Sequence, residues 1–196
     1  MEEMLVLASA SPRRKQILQD ADMRFCVVLP DEGEMLDANL PPPKAVEEVA
    51  LWKAENVKGK LKEKKVCILA ADTIVVLQNE ILQKPKDEED AFRMLTSLSG
   101  RVHEVYTGYC ILCEERKIKG NILTRVLFKE LSSKQIKDYI RTGEPLDKAG
   151  AYGIQGGGGN FVESFEGDFD NVVGLPKKEI LKRLEEAGWK NGMKQK

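Results

Sequence analysis

Near the N-terminus, Ser9-Ala10-Ser11-Pro12-Arg13-Arg14 sets two arginines and two hydroxyls at the start of a helix. Pro12 suits the first helical position and Ser11 the N-cap. Cations in a first turn oppose the macrodipole and cost a few tenths to ~1 kcal/mol each. Exposed backbone N–H groups at the same place attract an anion. A bound phosphate chain therefore reverses the sign, with Ser9 and Ser11 as further donors; the plain alternative is a solvated surface pair. Asp72 is the second irregularity, because it interrupts the apolar stretch Val66–Leu77. A buried carboxylate without partners costs several kcal/mol, so such a residue belongs at a strand end facing a cleft, held by a cation or a metal. Local Asp-Thr turn chemistry is the competing explanation, and the apolar flanks on both sides count against it.

Lys53, Lys84 and Lys148 are candidate phosphate contacts, although a surface position is the ordinary fate of any single lysine. Lys84-Pro85 and Asp147-Lys148-Ala149-Gly150 gain weight from lying at element ends. The segment KAGAYGIQGGGG holds six of the 16 glycines and can approach a ligand with bare backbone. It is neither a P-loop nor a dinucleotide fingerprint, because no Lys-Ser or Lys-Thr pair follows it and a strand comes next. Taken alone it reads as a mobile loop. Glu32, in an acidic loop, is a candidate metal ligand or an ordinary loop acid. Cys110-x-x-Cys113 falls on a strand, where residues three apart face opposite ways, so the pair is unsuited to redox or metal chemistry. His103 reads as a polar strand residue.

Composition removes other classes of function. The chain has 196 residues, 42% hydrophobic and 32% charged, with 31 basic against 32 acidic side chains. That length fits one domain, and roughly 70% of the unfolded surface can be buried without help from disulfides or a structural metal. Near-zero net charge argues against a protein held on nucleic acid by bulk electrostatics. No apolar run reaches the length of a membrane span, and the N-terminus lacks the basic start of a secretion signal. Four scattered cysteines suit a reducing cytoplasm. With a single histidine, zinc sites of the two- or three-histidine type cannot be built.

The elements that must position these groups follow from pattern. Met4–Ala8 reads as a buried strand, the segment from Pro12 as a helix burying Ile17 and Leu18, and Arg24–Leu29 as a second strand. Pro30–Pro43 is a loop, helical spacing resumes over Val46–Val57, and Lys58–Lys65 is a polar link. Val66–Leu77 turns back at Asn79-Glu80 into Ile81–Lys84. Asp87 caps a helix with inward Ala91, Met94, Leu95 and Leu98. Val102–Cys113 and Asn121–Leu131 form β-segments around a Lys119-Gly120-Asn121 turn. Ser132-x-x-Gln135 is a capping box for a helix carrying Ile136, Tyr139 and Ile140. Asn160–Glu166 is the last strand and Pro176–Ala187 the last helix, ahead of a polar tail over 189–196. The architecture is α/β with a mixed sheet, and residues 1–196 form a single domain.

The motifs LASASPRRKQIL, ADTIVV, QKP, SGRVHEVYTG, EPLDKAGAYGIQG and GDFDNVVGLP together resemble those of the Maf family, in the same order, from Met4 to about Leu184. The resemblance implies a fold similar to the inosine triphosphatases, a mixed twisted sheet flanked by helices with two lobes around a central cleft. It implies a nucleoside triphosphate pyrophosphatase dependent on a divalent cation, Mg²⁺ first, with Mn²⁺ or Co²⁺ as alternatives. By motif, Asp72 is the catalytic carboxylate, Ser9, Ser11, Arg13, Arg14, Lys53, Lys84 and Lys148 bind phosphate, and Glu32 and Asp72 lie nearest the metal. Hard oxygen ligands suit Mg²⁺, which keeps waters and uses few carboxylates.

Within the family, the branch acting on dTTP and UTP carries Arg, Thr and Gln at its specificity positions, matched here by Arg13, Thr73 and Gln155. A Gln amide donates and accepts in one plane, as the carbonyl and N–H edge of uracil or thymine requires. The sibling branch, resembling a 7-methyl-GTP pyrophosphatase, carries Trp, Gln and Glu types instead. Relatives show Gly-Asp-Tyr where this chain has Gly167-Asp168-Phe169, so a phenolic contact is lost. The resemblance leads to a cytoplasmic enzyme of nucleotide-pool cleansing that takes a small nucleoside triphosphate, contacts neither nucleic acid nor membrane, and is compatible with a homodimer. The alternatives are a non-catalytic nucleotide-binding regulator of septum formation and the 7-methyl-GTP activity.

Overall fold

The computed structural model describes residues 4–33, 36–37, 39–62 and 65–190. Seven strands form a mixed sheet in the order β2-β1-β3-β5-β6-β7, with β4 paired to β3. The strands are β1 (Met4–Leu7), β2 (Phe25–Val27), β3 (Val66–Leu77), β4 (Glu80–Leu82), β5 (Val102–Cys113), β6 (Arg116–Phe128) and β7 (Val162–Glu166). The helices are α1 (Pro12–Asp20), α2 (Pro42–Lys60), α3 (Glu88–Leu98), α4 (Ser133–Ile140), α5 (Phe169–Val173) and α6 (Lys177–Glu186). The expected α/β class with a mixed sheet is what the chain adopts. No helix among the described residues is long and apolar enough to cross a membrane.

The chain divides into two compact units, one of residues 1–72, 107–122 and 174–196, the other of 73–106 and 123–173. In the first, β1 pairs in parallel with β2 and with β3, Leu7 opposite both Val27 and Leu69. Val6, Ala8, Val66, Ile68, Ala70, Cys110 and Leu112 form one apolar layer with Ala50, Ala54 and Val57 of α2. Two periodicities meet there: even-numbered strand residues share a face, and positions 50, 54 and 57 share a helix stripe. Gly108 gives α2 its close seat, since a Cβ there would lie 2.5 Å from the Val46 carbonyl oxygen.

In the second unit β3 and β4 form a hairpin, Val75 opposite Leu82, across Gln78 and Asn79, both with positive φ. That is the two-residue turn whose twist matches the strands, one residue earlier than the sequence suggests. Its core packs α3 and α4 (Ala91, Met94, Leu95, Leu98, Ile136, Tyr139, Ile140) against Val105, Val126 and Phe128. The capping box at Ser132 and Gln135 forms as expected.

Other boundaries move for identifiable reasons. The turn between β5 and β6 falls at Glu114-Glu115, and Lys119-Gly120-Asn121 lies inside β6. Gly120 is there for packing: a Cβ would stand 2.6 Å from the Tyr109 hydroxyl oxygen. Helix α2 begins at Pro42 and runs through Lys60, because prolines suit the first turn. Lys60 then ties back to the acidic loop, donating to the Leu29 carbonyl oxygen and pairing with Asp31 at 2.7 Å. Helix α5 was not visible as a pattern. Trp189 is buried, its backbone N–H donating to Leu184 O, so it closes α6 and does not begin the tail. Residues 191–196 of that tail lie outside the described residues.

Cysteine chemistry also differs from expectation. Cys67 of β3 and Cys113 of β5 are joined by a disulfide, 46 residues apart in sequence. Cys110 is a buried thiol that burial pushes up to about 12, so it does not ionise near neutrality. As expected, Cys110 and Cys113 are not a pair.

Candidate active site

In the first unit the Asp72 carboxylate sits at a place the topology defines. Strand β1 ends at Leu7 opposite Leu69, and Ala8 N–H still donates to Leu69 O at 2.8 Å. Beyond that point β3 runs on past the end of β1, and Asp72 lies three residues further, in unbroken strand and not in a turn. Alternation puts Asp72 on the face that carries Ile68 and Ala70, the face α2 covers. Lys53 occupies the α2 stripe between Ala50 and Ala54, and its Nζ donates to Asp72 Oδ1 at 2.8 Å. The pair is well enclosed, with 10% of the Lys53 side chain and 20% of that of Asp72 exposed. Lys53, a candidate phosphate contact in sequence, is therefore the cation that accompanies the enclosed carboxylate.

The Ser9–Arg14 segment continues directly from β1, at this same end of the parallel pair. The two arginines of its first turn differ. Arg14 is buried; its Nε donates to Gly174 O at 2.8 Å and an Nη to Ser9 Oγ at 3.1 Å. Ser9 Oγ also accepts from Ser11 N–H at 3.2 Å, and Ser11 Oγ accepts from Arg14 N–H as the helix cap. Arg14 thus braces the loop from inside, which reconciles a guanidinium with the unfavourable end of the dipole. Arg13 is half-buried. Glu32 is exposed in the loop that Asp31 fastens to Lys60 and to Asn56 at 2.9 Å.

The second unit carries the other expected residues. Gly150 N–H donates to Gln83 O at 3.1 Å, bringing the segment after Lys148 beside the one that holds Lys84. Gly150 has φ +67°, and a Cβ would lie 2.9 Å from the Val75 side chain, so the backbone presses on β3. Lys148 Nζ bonds Asp147 at 2.5 Å and the Glu144 carbonyl oxygen at 3.1 Å. Thr73 is half-buried, while Lys84 and Gln155 are exposed.

The glycine-rich loop is the clearest departure from expectation. Gly153 N–H donates to the Tyr139 hydroxyl at 3.1 Å and Gly157 N–H to Glu144 Oε2 at 2.9 Å. A loop read as mobile is fastened on both sides of Gln155. His103 departs too, being 1% exposed with Nε2 2.8 Å from the Tyr152 hydroxyl. Burial brings its pKa down to about 4, a backbone interaction with Arg101 partly opposing, so the ring is neutral at pH 7. Asn171 and Thr124 hold the Gly167–Asn171 turn: Thr124 Oγ accepts from Asp168 N–H and from Asn171 Nδ2, both at 3.0 Å.

A family model described as Maf-like protein matches residues 4–187. The chain belongs to the Maf-like family. Among relatives of this Maf-like chain, a protein of Thermococcus gammatolerans is 50% identical over 186 residues, covering 95% of this chain and 97% of its own length. One from Desulfitobacterium hafniense is 47% identical, over 92% of this chain and 84% of its own. One from a Geobacillus species is 44% identical, over 95% of this chain and all of its own. Each is named dTTP/UTP pyrophosphatase. Three of the motifs that resemble the Maf family in sequence are segments that carry Asp72, the Arg14-braced loop and the start of the tethered glycine loop. Phe169, the departure from the family's Gly-Asp-Tyr pattern, opens α5 with its ring centroid 5.9 Å from that of Phe165.

Among the described residues no group of three or more His, Cys, Asp and Glu side chains is placed to hold a metal ion. The carboxylates of Asp72 and Glu32 are hard oxygen donors, the type Mg²⁺ takes alongside substrate phosphate oxygens and retained waters.

Proposed function

We propose that this chain hydrolyses nucleoside triphosphates to the monophosphate and pyrophosphate, with dTTP and UTP as substrates, and so removes unwanted nucleotides from the pool. The observation that carries the reading is the enclosed Lys53–Asp72 pair on the strand that outruns β1, beside the loop braced by Arg14. The names of the relatives support the same substrates.

In this reading Asp72 accepts a proton from the attacking water as the α–β phosphoanhydride breaks and pyrophosphate departs. Lys53 fixes the carboxylate plane through its 2.8 Å bond. Arg13, Lys84 and Lys148 bind phosphate oxygens, and the Ser9–Ser11 loop offers hydroxyl and N–H donors, shaped by Arg14 from behind. Such preorganised cations stabilise charge developing on the leaving group. Asp72, with Glu32, would hold a divalent ion, Mg²⁺ before Mn²⁺ or Co²⁺, whose contribution when bound is to offset phosphate charge. Arg13, Thr73 and Gln155 select the base, Gln155 by pairing its amide with the carbonyl and N–H of uracil or thymine. The enzyme works in the cytoplasm.

The test is pyrophosphate release from UTP, dTTP, CTP and 7-methyl-GTP with purified protein and Mg²⁺. Preference for UTP and dTTP is expected. A preference for 7-methyl-GTP would overturn the assignment of Arg13, Thr73 and Gln155, and no release from any substrate would overturn the enzymatic reading.

A further inference from the structure

Residue type alone does not explain a pyrimidine preference. Turned over by 180°, a glutamine amide presents the donor and acceptor pattern that cytosine accepts, so discrimination depends also on how residue 155 is held. The glycine loop shows how. Tyr139, near the end of α4, receives Gly153 N–H and donates its own O–H to Glu144 Oε1 at 3.0 Å. The second oxygen of that carboxylate receives Gly157 N–H. Tyr139 and Glu144 therefore grip the loop two residues before and two residues after Gln155.

The glycines themselves follow from this grip. A Cβ at Gly156 would collide with the Glu144 carboxylate, and one at Gly157 would lie 3.0 Å from the Tyr139 ring. At Gly158 it would stand 2.9 Å from the Tyr139 hydroxyl and from Gly153 N, and at Gly159 it would strike Ile154 O. Gly156, Gly157 and Gly158 are bare because the loop is packed down onto these two side chains, and Gly159 because the loop closes on its own backbone at Ile154. The clamp is itself supported. The Tyr139 ring stands edge-on to Phe161, centroids 5.0 Å apart, and Lys148 Nζ binds the Glu144 carbonyl oxygen. Burial pushes the Tyr139 phenol far up, so it stays a donor to Glu144 at any working pH.

We propose that Glu144 and Tyr139 are positioning residues for base selection, holding residues 153–157 so that the Gln155 amide meets uracil or thymine in preference to cytosine. The proposal rests on the reading that Gln155 contacts the base. Its test compares kcat and KM for UTP and CTP in the wild type, Glu144→Ala, Glu144→Gln, Tyr139→Phe and Gln155→Ala. Losing the clamp lowers the UTP:CTP ratio of kcat/KM by about tenfold or more, mainly through KM for UTP, the scale of a misplaced hydrogen-bonding contact. Glu144→Gln keeps an acceptor for Gly157 N–H and restores most of the ratio; Tyr139→Phe, a change of one atom, lowers it if Glu144→Ala does not fold. Equal losses for both substrates, with the ratio unchanged in Glu144→Ala and Tyr139→Phe, would refute the positioning role. A wild type indifferent to the base, or a Gln155→Ala variant that keeps its preference, would instead overturn the base-reading role of Gln155 and this proposal with it.

Discussion

Acidification from pH 7 to pH 5 is predicted to weaken the native state through one residue, His103. Its imidazole titrates near 6.5 in an unfolded chain and at about 4 in the folded protein, where burial disfavours the cation. Between those values the unfolded chain takes up a proton that the native protein refuses. The contribution of His103 is therefore complete above about pH 6.5 and falls away as the pH drops toward 4. At pH 5 the imidazole is largely protonated in the unfolded chain and largely neutral in the folded protein, a loss of about 2 kcal/mol relative to pH 7. Loss of packing adds to this if the ring moves, since it stands edge-on to Phe128 and Tyr152 with centroids 4.8 and 5.4 Å away. Urea unfolding of the wild type and His103→Gln at both pH values provides the assay. Glutamine leaves Tyr152 a polar partner but does not titrate. The wild type should lose about 2 kcal/mol more than the variant between pH 7 and pH 5. Equal losses in the two proteins would refute the assignment.

Lys53→Met keeps the aliphatic stem but strands the Asp72 carboxylate. With Asp72 one-fifth exposed, the expected destabilisation is about 1–3 kcal/mol, below that of a fully buried broken pair, accompanied by loss of turnover. Adding Asp72→Asn to it should recover stability in a thermal melt without recovering activity. Thiol titration of the unfolded chain should find two thiols before reduction, those of Cys26 and Cys110, and four after it. Cys113→Ser should lower stability by roughly 2–4 kcal/mol relative to the oxidised protein, from the loop that the bridge closes.

Much of the fold was legible because two periodicities dominate it. The limits of β3, the inward face of α3 and the capping box of α4 all follow from residue pattern. What sequence could not supply was tertiary reason for a residue type. Gly120 reads as a turn, but it is a strand residue that makes room for Tyr109. Four successive glycines read as mobility, but each lies against an atom of Tyr139, Glu144, Gly153 or Ile154. Asp72 announced itself by interrupting an apolar strand. Lys53 carried a similar signal, a cation among Val46, Val49, Ala50, Ala54 and Val57 at helical spacing, and could have been weighted by it. Glu144, Tyr139 and His103 left no such trace, since a glutamate before a proline, a tyrosine in a helix and a histidine in a strand are ordinary locally. Their roles come from partners reached through the fold. The Cys67–Cys113 bridge depends likewise on strands that become neighbours only in the sheet.

The central claim is that Asp72 accepts the proton of the attacking water. Asp72→Asn preserves shape and still offers Lys53 an oxygen, while removing the basicity and the charge of the carboxylate. Pyrophosphate release from UTP under saturating Mg²⁺, with UTP binding measured alongside, tests it directly. The expected result is a kcat lowered by ~10²–10⁴-fold with UTP still bound. Turnover equal to that of the wild type would contradict the claim and remove Asp72 from the chemistry.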